Sequence, residues 1–68
     1  MTFKQNDVVK SILNGKDTGQ VGTVIFVDDT LGRVIVRPLD FPDYKCIYDL
    51  NGVAIDDTRF SIQPYKGN

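Results

Sequence analysis

Apolar residues fall along this chain in short runs, and most of them branch at Cβ: Val8, Val9, Ile12 and Leu13, then Val21, Val24, Ile25 and Val27, then Val34, Ile35 and Val36. Branched side chains lose rotamer freedom in a helix and pack well on a pleated surface, so these runs predict strands. Residues 8–13 also admit a helical reading, with Asp7 as cap, Val8, Ile12 and Leu13 on one face and Gly15 as the stop. Two adjacent valines within only two turns make that helix poor, and a strand ending at Asn14-Gly15 fits better.

The second strand is expected from residue 19 or 21 to 27, with Gly22 as a bulge that bends the ribbon. Glycines at 15, 19 and 22 mark turn geometries that a side chain would obstruct. Asp28-Asp29-Thr30-Leu31-Gly32 reads as a tight connection, Gly32 supplying a positive φ before residues 33–37 extend again. Alternation there places Val34 and Val36 on one face, and Arg33, Ile35 and Arg37 on the other. Pro38 and Pro42 deny residues 38–43 regular ladder bonding, which makes them a loop carrying an exposed or half-buried Phe41.

Residues 45–50 and 53–55 flank Asn51-Gly52, the strongest two-residue hairpin signal in the chain. Residues 56–60 read as a single turn before a last strand at Ser61-Ile62-Gln63, ended by Pro64, and residues 65–68 read as a tail. Phe3-Lys4-Gln5 forms a lead-in to a turn at Asn6-Asp7. Five or so short strands without a convincing helix predict an all-β fold, a small barrel or open sandwich forming one domain over residues 1–68. There is no internal repeat, linker or low-complexity tract.

Length tightens this picture, since a 68-residue chain buries only about 60% of the surface it exposes when unfolded. A net charge of −1 and a pI near 5.0 argue against strong nonspecific attraction to nucleic acid. All 9 acidic residues are aspartates, many of them beside turn residues, where a short carboxylate bonds its own local backbone. The pairs Asp28-Asp29 and Asp56-Asp57 could meet across a barrel to hold a divalent ion, but solvated turns are the better reading.

With no histidine and the single cysteine Cys46, the usual zinc ligand sets, disulfides and neutral acid–base catalysts cannot be assembled. Cys46 reads as a small strand residue. No catalytic residue, metal or cofactor is expected, and the chain is not expected to be an enzyme. The run Asp49-Leu50-Asn51-Gly52 lacks the further ligands of an EF-hand, and the glycine loop lacks the Lys-Ser/Thr pair and following helix of a phosphate cradle. The start Met1-Thr2-Phe3-Lys4-Gln5-Asn6 carries neither an apolar signal core nor a myristoylation glycine, and no run is long enough to span a membrane. A cytoplasmic, reducing location is the expectation.

The stretch 8–36 resembles the KOW motif, in which a valine strand leads to a G-K-D-x-G-x-x-G-x-V turn and a further V-x-V strand. The residues that carry the resemblance are Val9, Ser11 and Ile12, then Gly15-Lys16-Asp17, Gly19, Gly22, Val24 and Val27, and finally Val34 and Val36. The resemblance implies an SH3-like barrel of the kind found in ribosomal proteins and NusG-type elongation factors. It also implies contacts to RNA, DNA or protein through Asn14, Lys16, Asp17, Thr18 and Gln20. RNA-binding members commonly carry lysine where this chain has Thr18, Gln20 and Thr23, so three phosphate contacts are replaced by neutral groups. Free-standing chains like this one also resemble small bacteriophage proteins.

A second candidate surface joins Arg33 and Arg37 to the couples Tyr44-Lys45, Arg59-Phe60 and Tyr65-Lys66, since a cation beside an aromatic suits stacking on a nucleic-acid strand, and Lys10 and Phe41 complete the candidate binding residues. The competing reading has Tyr48 and Phe60 in the core and the basic residues keeping a sheet face wet. The expected function is a noncatalytic module that binds nucleic acid or a nucleoprotein. The alternative is a protein-interaction or regulatory module, such as a small phage protein that binds a host protein. Gly15, Gly19, Gly22, Gly32 and Gly52 are expected as structural turn residues. Oligomeric state is left open, because an exposed edge strand could pair with a second copy.

Overall fold

A computed structural model describes residues 2–65, so Met1 and the tail residues Lys66, Gly67 and Asn68 lie outside the described residues, and with them half of the Tyr65-Lys66 couple. Five strands follow one another: β1 (Val8–Leu13), β2 (Lys16–Asp28), β3 (Arg33–Pro38), β4 (Cys46–Tyr48) and β5 (Phe60–Pro64). They form one antiparallel sheet in the order β4-β3-β2-β1-β5. The fold is all-β, and residues 8–13 are a strand, as their branched side chains favour.

Leu13 pairs with Lys16, which leaves Asn14-Gly15 as a two-residue turn with φ of 51° and 82°. Two positive φ values in succession define the type I′ turn, whose twist matches that of the flanking strands. β2 therefore begins at Lys16 and not at 19 or 21. The irregularity comes later: Lys10 faces Val21 while Ile12 faces Asp17, so Ser11 alone opposes Thr18-Gly19-Gln20. That bend is held by side chains, with Asp17 Oδ1 accepting from Gly19 N at 2.8 Å and Thr18 Oγ1 accepting from Gln20 N at 3.1 Å.

Gly22 is not the bulge the sequence predicts. It sits in regular register between Val9 and Pro38, and a Cβ there would lie 2.7 Å from Val36 Cγ1 and 2.9 Å from the Arg37 carbonyl oxygen. Its lack of a side chain lets β3 approach. The second irregularity of β2 falls at Ile25, because Val24 faces Val36 while Phe26 faces Ile35. One extra residue there reverses the parity of the strand.

The chain leaves β4 through a three-residue loop and not the two-residue turn expected of Asn51-Gly52. Asp49 N donates to Val53 O at 2.8 Å, Gly52 N donates to Asp49 O at 2.9 Å, and Gly52 takes a φ of 86°. Residues 53–55 then run between the two outer strands. Ile55 N donates to Ile47 O on one side, while Ala54 N donates to Phe60 O and Ile62 N to Gly52 O on the other. Isolated bridges Tyr48 to Ala54 and Val53 to Ser61 complete the link. The sheet curls into a half-barrel around a core of Phe3, Val9, Ile12, Val24, Val34, Val36, Tyr48, Ala54 and Ile62.

Phe60 is half-buried against that core, and Tyr48 lies in it. Phe3 is more than a lead-in: its ring closes one end of the curl and lies 3.0 Å from where a Cβ on Gly52 would stand. At Gly52 a methyl would therefore meet both backbone strain and two close neighbours, Ile62 O at 2.9 Å and the Phe3 ring. Gly52→Ala is expected to cost ~2 kcal/mol or more. Gly19→Ala, with φ of 81° but nothing within 4 Å, is expected to cost ~1 kcal/mol. Urea unfolding of the two variants checks the order, and an equal loss would refute it.

Candidate functional site

Five of the aspartates accept backbone N–H bonds close by in sequence. Asp7 takes Lys4 N, Asp17 takes Gly19 N, Asp28 takes both Thr30 N and Leu31 N, Asp49 takes Asn51 N and Val53 N, and Asp57 takes Arg59 N. A carboxylate on one methylene reaches the amide two residues on, which explains the choice of aspartate over glutamate. Among the described residues no group of three or more His, Cys, Asp or Glu side chains comes together. No described helix is long and apolar enough to cross a membrane.

The sequence-predicted contact residues separate into distinct places. Asn14, Lys16, Asp17, Thr18 and Gln20 are exposed on the β1–β2 hairpin, and Arg59 joins them there because Asn14 N donates to Arg59 O at 2.9 Å. Several of these groups are already engaged. Lys10 Nζ lies 3.5 Å from Asp17 Oδ2, and Thr18 Oγ1 donates to Ser11 O. Arg59 clasps Asp57 through Nε at 3.0 Å and Nη2 at 2.7 Å, which holds the Asp57 carboxyl below its ordinary range and raises the guanidinium. Arg33 Nη1 donates to the carbonyls of Leu31 and Gly32, so it folds back on its own turn. Arg37 and Lys45 are exposed and form no ion pair among the described residues.

Phe41 and Tyr44 do come together. Their ring centroids are 6.0 Å apart at 78°, an edge-to-face pair, yet 53% and 66% of the two residues is exposed. The loop that presents them is fixed at its base, where Leu39 N donates to Val21 O at 2.8 Å, and internally, where Tyr44 N donates to Phe41 O at 3.0 Å. Phe41 forms a wall of a groove of about 560 Å³ at the open side of the half-barrel. Val36, Cys46, Tyr48 and Ile62 line its interior, and Lys45 and Asp56 are its charged members together with Arg33. Cys46 and Tyr48 face Val36 and Val34 across the β3–β4 ladder.

Sequence reasoning did not pick out Cys46, Tyr48 and Asp56 as site residues. Cys46 and Tyr48 had one visible signal, their alternation about Ile47, but nothing in the sequence shows that the sheet leaves this side open. Compared with protein-family models, with curated proteins and with solved structures, the chain matches none.

Burial pushes the Tyr48 phenol up to about 12, and neighbouring Cys46 and Asp56 add to the shift. The folded state thus favours the neutral phenol. The stability this contributes is complete below pH 10, the ordinary tyrosine value, and is lost as pH rises towards about 12. The unfolding midpoint is expected to fall across that interval, and to fall less in Tyr48→Phe. Thermal melts at stepped pH measure this, and parallel pH profiles would contradict it.

Proposed function

We propose that this chain is a noncatalytic binding module that takes an apolar or aromatic segment of a partner protein into the groove beside Phe41 and Tyr44. The observation that carries the reading is that the exposed Phe41 ring, met edge-to-face by Tyr44, lines an apolar-walled groove of about 560 Å³. That volume lies within the range of sites that bury most of a bound group. Aromatic residues and a flanking cation are what protein interfaces enrich, and Lys45 stands at this groove. Two of the cations expected to meet phosphate, Lys10 and Arg59, lie against aspartates, which weakens a polyanion reading.

Kinship with KOW modules, and with it contact to nucleic acid or a nucleoprotein, forms the second reading. It is supported by the Asn14-Gly15 turn and the positive φ at Gly19 within the 8–36 ribbon, and by Lys16 at the exposed tip. Panning a displayed random-peptide library on the immobilised protein separates the two. Apolar and aromatic peptides are expected to be enriched, and Phe41→Ala or Tyr44→Ala to weaken them roughly tenfold, as for a well-placed aromatic anchor. Failure to enrich any peptide, with oligonucleotide binding that falls steeply with salt and weakens in Lys16→Ala, would replace the first reading by the second.

A further inference from the structure

One stretch of strand edge keeps its hydrogen-bonding groups free. The closing segment follows β4 only as far as the Ile47 carbonyl, which accepts from Ile55 N at 3.1 Å, and the chain then bends at Ile55-Asp56. Along a strand the N–H and C=O of one residue point to the same side, and successive residues point to opposite sides. Cys46 and Tyr48 therefore bond β3, while Ile47 turns its N–H away from β3 together with its carbonyl. Lys45, one alternation earlier, turns both of its groups the same way. No described backbone group bonds the Lys45 N–H, the Lys45 C=O or the Ile47 N–H along this edge.

This edge is a rim of the groove, since Lys45, Cys46 and Ile47 line it together with Ile55 and Asp56. Phe41 and Tyr44 line a smaller hollow with Lys45 and Cys46, so the aromatic pair stands next to the same edge. Side chains alternate between the two faces as well. Cys46 turns inward with Val36, which it faces, and Lys45 turns outward beside Arg37, the next pair along that register. Neither cation forms an ion pair among the described residues. A neighbour laid along this edge thus meets an apolar hollow on its inner side and two unpaired cations on its outer side. A second copy of the same edge would bring the same cations with it, so the charge admits an acid-bearing strand and disfavours self-pairing.

We propose that the groove holds its partner segment as an extended strand laid parallel to β4 at residues 45–47, with an acidic side chain beside Lys45 and, next in the segment, an apolar or aromatic side chain turned in over Cys46. The inference rests on the groove reading above and adds the conformation and charge of what binds. Main-chain bonds to the edge supply affinity, and the alternate side chains supply selectivity. In the parallel arrangement one residue of the segment donates its N–H to the Lys45 carbonyl and accepts from the Ile47 N–H, while the Lys45 N–H goes to the carbonyl two residues earlier. All three free groups are then satisfied, and the Ile47 carbonyl keeps its bond from Ile55. The segment leaves the edge after that residue, where Ile55 stands. An antiparallel neighbour would need, opposite Ile47, the place that Ile55 already holds.

Titration with acetyl-Thr-Val-Glu-Phe-Gly-amide up to ~1 mM, followed by NMR amide hydrogen exchange, tests this. Exchange at the Lys45 and Ile47 amides is expected to slow about tenfold or more in the saturated protein. The same peptide N-methylated at its Phe is expected to bind roughly tenfold more weakly, because the methyl replaces the N–H that meets the Lys45 carbonyl. With Lys in place of its Glu the peptide is expected to bind several times more weakly, and Lys45→Glu, at an exposed position, to reverse that preference. Binding that Phe41→Ala weakens while both amides exchange as in the free protein, or while the N-methylated peptide binds unchanged, would overturn the added strand and leave the groove reading standing. No binding of this peptide at ~1 mM would overturn the added strand as well, and the random-peptide panning then decides the groove reading by itself.

Discussion

The hydrogen bonds that residues 52–55 make on both sides hold this molecule in its shape. β4 is only three residues long and β5 is the opposite edge of the sheet, so without a shared neighbour both would present unpaired backbone to water. Ile55 and Val53 satisfy β4 while Ala54 and Gly52 satisfy β5, and the sheet must curl for one short stretch to reach both. The curl creates the interior, the end that Phe3 plugs and the groove that stays open. Gly52 lies at the crossing point, where its backbone bonds Ile62 N and the Phe3 ring packs too close for a side chain.

Local electrostatics are largely consumed in building turns. Carboxylates at 7, 17, 28, 49 and 57 face backbone amides, and two of them also hold the cations Lys10 and Arg59. The near-neutral total therefore conceals a surface on which about half of the charged groups address the chain itself. Arg37 and Lys45 are among the cations outside that pattern, one on β3 and the other entering β4 beside the aromatic loop.

Much of the architecture was legible in the sequence, for physical reasons that vary along the chain. Branched residues at 8–13 and 33–37 announced strands, and the alternation of Val34 and Val36 against Arg33 and Arg37 matched their burial. Residues 16–20 gave no such signal, because that half of β2 is exposed and has no apolar side to alternate with. Asn14-Gly15 could have revealed the early start of β2, since it forms the tight turn that was credited instead to Asn51-Gly52. Phe3 lies outside any periodic run. The bulge inside Val24-Ile25-Phe26-Val27 was invisible in an unbroken apolar series, and with it the outward aim of Phe26. Clustering of Phe41 with Tyr44 depended on a loop turn that sequence leaves open.

The polar half of β2 extends beyond its ladder with β3, which ends at Gly22. A long exposed ribbon of this kind could template the stacking of further chains into fibrils. Here Asp17 and Thr18 occupy the N–H groups of Gly19 and Gln20, and the three-against-one slip opposite Ser11 breaks the flat spacing that a stacked neighbour would need. The bend that shapes the hairpin thus also leaves this exposed ribbon a poor template for a further strand.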